Sequence, residues 1–156
     1  MKTLLIATLL VGVGCAHSTA KKYRKASHRL AEELVDQLEK RTDTRHVRVL
    51  VADFRPTVRP ERDYYYYQHR QLARQLKQHM KTALARKVVV VEADSPDGRR
   101  EDQRVYERAK ELGATTVLIG DYSLTGKNDI HIMARLVETE SYAVLATAER
   151  TIKNVD

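Results

Sequence analysis

Few side chains in this sequence are of the types that do chemistry, and their spacing limits what they can do. There is one cysteine, Cys15, and six histidines: His17, His28, His46, His69, His79 and His131. No two histidines stand four residues apart, the spacing that sets both on one helix face to bind zinc. A single cysteine cannot build a thiolate metal cluster. No glycine-rich loop follows a strand-like run, so no phosphate cradle is encoded. The Gly-x-Ser-x-Gly elbow of a hydrolase nucleophile is absent too. Asp53 and Asp121 close two strand-like runs, where open α/β sheets place ligand sites. Aspartate also commonly ends a strand and caps the following turn. Without a base, nucleophile or metal partner, the pair forms no catalytic constellation. The expectation is a protein that is not an enzyme and carries neither metal nor cofactor.

The unusual aromatic feature is Tyr64-Tyr65-Tyr66-Tyr67. Four consecutive residues circle a whole helical turn, so they cannot all face a core. Tyr65 fits the apolar stripe of the residues that follow. Tyr64, Tyr66 and Tyr67 fall outside it. Tyrosine gives large contact area at low entropy cost, and arginine stacks on its ring. Tyr64, Tyr66 and Tyr67, with Arg59, Arg62 and Arg70, are therefore a candidate binding patch. The plainer alternative is a solvated helix start.

Cys15 gains meaning from what precedes it. Lys2 supplies a positive start, Leu4 to Val13 is uncharged and apolar, and the small Gly12 and Gly14 lead to the cysteine. That order is the one of a secretory signal. The run is much shorter than the about 20 apolar residues of a spanning helix. Val11-Gly12-Val13-Gly14-Cys15 resembles the bacterial lipobox, whose cysteine receives the acyl chains. Gly12 departs from it, because leucine is usual three residues before the cysteine. The alternative is an ordinary signal with a chance cysteine. Ala16, rather than aspartate, follows Cys15; by resemblance to enterobacterial sorting, this implies the outer membrane.

Lys and Arg total 28 against 21 Asp and Glu, a net charge of +7. Behind an export signal, such a balance meets anionic lipid head groups, peptidoglycan carboxylates or an acidic protein rather than nucleic acid. With its one cysteine lipidated, the mature domain has no disulfide and must fold on its core alone. Residues 16–25, AHSTAKKYRK, show no periodicity and read as a basic tether. Lys21, Lys22, Arg24 and Lys25 in it either meet an anionic surface or are simply solvated.

The remaining pattern is regular. Ser27 is placed to cap a helix carrying Leu30, Leu34 and Leu38. His46–Phe54 alternates as a strand. Pro56 and Pro60 forbid regular structure in the loop behind it. A long helix runs from about Tyr64 to Arg86 on the stripe Leu72, Leu76, Met80 and Leu84. Lys87–Glu92 holds four valines and reads as a strand covered on both faces. A third helix buries Val105, Tyr106, Ala109 and Leu112 and ends at Gly113 as a left-handed cap. Thr115–Tyr122, Asp129–Val137 and Tyr142–Ala148 are strands, the first two joined by the hairpin turn Thr125–Asn128. The fold class is a single α/β domain of order α-β-α-β-α-β-β-β. Its sheet is mixed: the first three strands are parallel, with right-handed crossovers, and the last three form an antiparallel meander.

The strand endings carry a resemblance. Gly113-Ala-Thr-Thr-Val-Leu-Ile-Gly-Asp-Tyr122, Ala134-Arg-Leu-Val-Glu-Thr139 and Val144-Leu-Ala-Thr-Ala148 resemble the three C-terminal strands of the FlgO domain. The likeness extends generically over residues 28–152. It departs at Ser141-Tyr142, where that family usually has glycine, and at the Arg- and Pro-rich loop Arg55–Asp63. More distantly, the domain is similar to the CsgG and LpoB lipoproteins and to the amino-terminal domain of TolB. The resemblance implies an outer-membrane lipoprotein at the periplasmic face. It also implies binding to an envelope assembly, flagellar for a FlgO-like protein or a periplasmic cell-wall synthase for an LpoB-like one. A homo-oligomer is left open.

The expected organisation is a signal peptide at 1–14, a lipidated cysteine with a basic tether at 15–26, and the FlgO-like domain at 27–156. Cys15→Ala should release a soluble periplasmic form. If that variant still fractionates with the outer membrane and the wild type takes up no labelled palmitate, Cys15 is not the anchor.

Overall fold

Leu30, Leu34 and Leu38 recur every fourth residue with Ala31 and Val35 beside them, and all five are buried. One side of their helix is thus continuously apolar. The computed structural model in which they pack describes the backbone of residues 13–57, 63–93, 101–125 and 129–153. Side chains are described from Thr19, Arg70 and Arg104 onward in the three helices. No helix among the described residues is long and apolar enough to cross a membrane.

The leucine helix, α1 (Val13–Glu39), starts well before its leucines require. The expected tether is its first half. Tyr23, Ala26 and Ser27 extend the buried stripe toward the N-terminus at helical spacing. Tyr23 is 5% exposed, and burial pushes its phenol up to about 12. Basic residues on the outer turns conceal this stripe in the sequence. Ser27 is therefore no cap. It lies mid-helix, buried, with a hydroxyl that has no hydrogen-bond partner among the described residues.

The remaining elements are β1 (Arg48–Val51), β2 (Arg55–Pro56), α2 (Asp63–Leu84), β3 (Val89–Val91), α3 (Glu101–Glu111), β4 (Thr116–Thr125), β5 (Asp129–Glu138) and β6 (Val144–Ile152). The sheet order is β3-β1-β4-β5-β6, with β2 on β4. β1 runs parallel to β3 and β4; β4, β5 and β6 are antiparallel. This is the mixed sheet expected from the sequence. One face packs Val49, Val51, Leu118, Ile132 and Leu136 against α1 and α2. The other packs Leu50 and Val117 against Ala109 of α3.

Two local details differ from expectation. The loop after β1 is not wholly irregular: β2 returns to β4, with Arg55 opposite Asp121 and Pro56 opposite Tyr122. Thr57 N–H donates to Tyr122 O at 2.9 Å. Pairing alternates along a strand, so Pro56, which has no N–H, occupies an outward position. Between β1 and β2 the ring of Phe54 lies directly over Gly120. A Cβ on Gly120 would sit 2.2 Å from that ring, so only glycine fits. The valine strand β3 is the second difference. It is an edge strand covered only in part, and Val89 is 53% exposed. A run of valines encodes apolar character but not a place in the sheet.

The helix-end reading of Gly113 holds in the structure. Its φ is +68°, with Gly113 N–H to Lys110 O at 2.9 Å and Ala114 N–H to Ala109 O at 2.8 Å. That pair of bonds is the Schellman motif.

The Ser27 assignment is testable. Losing a helix cap costs about 1 kcal/mol, whereas removing a buried unpartnered hydroxyl from mid-helix gains about that much. Ser27→Ala should raise the urea midpoint. A drop of similar size would restore the cap.

Candidate functional site

The two weighed aspartates are each held by a cation. Asp53 lies 2.7 Å from Lys77 of α2, and Asp121 lies 2.8 Å from Arg135 of β5. Both pairs are only part-buried. They fasten the carboxyl end of the parallel strands to neighbouring elements and present no free acid–base pair. The described histidines are dispersed. His28 faces Glu32 at 3.8 Å and His131 faces Glu149 at 3.5 Å. Burial, and next Arg24, hold the pKa of His79 below its usual value. Among the described residues no group of three or more His, Cys, Asp or Glu could hold a metal ion.

Of the candidate patch, Arg70 is exposed on α2. The side chains of Tyr64, Tyr66, Tyr67, Arg59 and Arg62 lie outside the described residues. So does the Cys15 side chain, although its backbone falls in the first turn of α1.

A different surface stands out: the turn between β5 and β6. Tyr142 has φ +58° and is the only described non-glycine residue with a positive φ. A left-handed conformation costs about 1–2 kcal/mol for a residue with a Cβ. The turn closes through Tyr142 N–H to Glu138 O at 3.1 Å and Glu138 N–H to Ala143 O at 2.9 Å. Ser141 Oγ bonds Glu138 and accepts from Ala143 N–H at 3.2 Å. Below the turn, the buried Thr139 hydroxyl is shared between Ala114 O at 3.1 Å and Thr115 O at 3.0 Å. That bond ties the end of β5 to the start of β4 and gives the turn a rigid base.

The strained residue displays its ring. Tyr142 is 55% exposed, and nearby Val144 is 46% exposed. The Tyr106 ring of α3 meets Tyr142 edge-on at 4.9 Å and 82°. Lys110 Nζ lies 5.7 Å from the Tyr142 ring centroid and 3.3 Å from Glu140. Of these residues the exposed tyrosine is the type enriched at protein-docking surfaces. Backbone strain kept in order to present a side chain points the same way. The sequence carried one signal of this site, tyrosine where glycine is usual. The approach of Tyr106 from a separate helix could not be read locally.

No family model matches this chain, and no curated protein is similar to it in sequence. The FlgO-like motifs thus find no counterpart among the families. Solved structures are similar in fold. The C-terminal domain of LpoB from Salmonella enterica aligns with a TM-score of 0.61 at 15% identity, over 85% of this chain and 98% of that one. The same domain from Escherichia coli aligns at 0.63 and 14% identity, with the same coverage. The NMR structure of E. coli LpoB aligns at 0.57 and 14% identity, over 83% of this chain and 66% of that one. The shared property is the fold, and the alignment spans nearly the whole of the LpoB C-terminal domain.

Tyr142→Gly separates display from stability. Relief of strain offsets the lost ring contact, worth about 0.5–1.5 kcal/mol. Chemical unfolding should therefore shift by less than about 1 kcal/mol, while partner binding falls at least tenfold. Unchanged binding would remove Tyr142 from the docking surface.

Proposed function

We propose that this protein is a non-enzymatic lipoprotein of the outer membrane that faces the periplasm and docks onto a protein partner there, as an LpoB-like regulator of a cell-wall synthase. The observation that carries this is the near-complete correspondence with the LpoB C-terminal domain. The displayed Tyr142 surface supplies a place for the partner.

The layout of α1 supports the same reading. Lys22 Nζ reaches Lys153 O at 3.4 Å, just past the end of β6, and Arg41 Nη1 reaches Val144 O at 3.3 Å, at its start. The helix therefore runs antiparallel along β6. Its N-terminal end, with Cys15, lies at the opposite end of the domain from the Tyr142 turn. At about 1.5 Å per residue, the two ends of this contact are about 28 Å apart. A chain anchored through Cys15 would hold the tyrosines away from the lipid.

A second reading draws on the same helix. An extended tether of residues 15–26 would reach about 40 Å. As helix, Cys15 lies only about 12 Å along the axis from the buried Tyr23. That keeps the domain near its membrane and suits a membrane-proximal assembly such as the flagellar one.

A photo-crosslinking residue at Tyr142, with parallel positions at Tyr64 and Tyr67, distinguishes the two in living cells. Capture of a cell-wall synthase at Tyr142 supports the LpoB-like reading. Capture of flagellar components in its place overturns that reading in favour of the second.

A further inference from the structure

The outer stripe of α1 changes sign along its length. Lys21, Arg24, Lys25, His28, Arg29, Glu32, Asp36 and Glu39 are linked by three- and four-residue spacings, so they share one helix face. All eight are exposed. The first five positions are Lys, Arg or His, and the last three are acidic. The opposite face is fixed by Tyr23, Leu30, Leu34 and Leu38 in the core, so the stripe cannot rotate inward. Lys21, Arg24, Lys25 and Arg29 have no ion-pair partner among the described residues. The acidic half begins at Glu32, which faces His28.

We infer that the basic half of this stripe seats the domain on anionic phospholipid head groups and that the acidic half is held off them. The occupant follows from charge and from order along the chain. The cations lie six to fourteen residues beyond Cys15, or about 9–21 Å along a continuous helix. Upright on its anchor, the helix would hold even Lys21 about 9 Å from a surface at Cys15, beyond a Debye length of about 8 Å, so the cations meet the head groups when the basic face of the helix is laid against them. The acidic turns gain most by tilting away from them. An anchor alone fixes position; a sign change along a rigid helix also fixes orientation.

This inference rests on the reading that Cys15 tethers the domain to a membrane, but its test does not need the acyl chains. Cys15→Ala protein recovered from the periplasm is mixed with vesicles of phosphatidylcholine, with or without phosphatidylglycerol. It should bind the anionic vesicles preferentially and release at high salt. Lys21→Gln with Lys25→Gln should weaken that binding about 25-fold, at about fivefold per residue. Lys40→Gln, beyond the acidic half, should leave it unchanged. Equal binding to both vesicle types, or indifference to the double substitution, overturns the inference. Palmitate labelling of the wild type reports on the anchor separately, so the two readings fail independently.

Discussion

A strand at the rim of a sheet leaves half of its backbone N–H and C=O groups unpaired. On β6 the polar flank of α1 answers them. The Gln37 amide donates to Thr147 O at 2.8 Å and accepts from Thr147 N–H at 3.1 Å, doing for one residue what a neighbouring strand would do. Arg41 and Lys22 take carbonyls at the two ends, and Arg150 pairs with Glu33 at 2.6 Å. These contacts fix the register of α1 along β6, and the leucine stripe fixes its rotation. The outward direction of the charged stripe, the position of Cys15 and its distance from the Tyr142 turn all follow from that one placement. The other rim, β3, has no such cover among the described residues.

How much of this was legible depended on the range of the interaction. Stripes of leucine, the left-handed end at Gly113 and the alternation of the last three strands are local patterns, and they read correctly. The fold class followed from them. The first half of α1 did not, because its apolar positions are Tyr23, Ala26 and Ser27, scattered among lysines and arginines. Only the neighbours that bury Tyr23 reveal it as core. The exposure of Val89 was hidden for the opposite reason: its sequence is apolar enough for a central strand, and position in a sheet is not written in a strand's own residues. Gly120 appeared as one letter of a strand motif. Its physical cause, the Phe54 ring lying over it, spans more than sixty residues of chain.

The candidate site shows the same division. Asp53 and Asp121 were visible as carboxylates at strand ends, but their pairing to Lys77 and Arg135 was not, because the partners lie on separate elements. In the sequence Tyr142 stood out only through a resemblance to the FlgO domain, which no family model supports. Its meaning needs three things from the structure: the positive φ, the exposure, and the Tyr106 ring beside it. A glycine would make this turn without strain. A tyrosine makes it at a cost and holds its ring in a defined place. Strain and the Tyr106 contact nearly cancel, so stability alone does not select the tyrosine, and its exposed ring argues for a contact outside the domain.

The two ends of α1 then impose a direction on the molecule. Near the N-terminal end are exposed cations on a helix that continues from Cys15; near the C-terminal end are acidic residues and, across β6, the tyrosine turn. A partner docking at Tyr142 meets a surface turned away from the helix's basic end, and an anionic membrane meets the basic end without competing for the tyrosines. Because α1 is continuous and clamped along β6, moving one end relative to the other would break the Gln37 and Arg41 contacts together. For a chain anchored and docked as proposed, orientation at the membrane and presentation to a partner are coupled mechanically by one helix. A flexible tether, by contrast, would leave them independent.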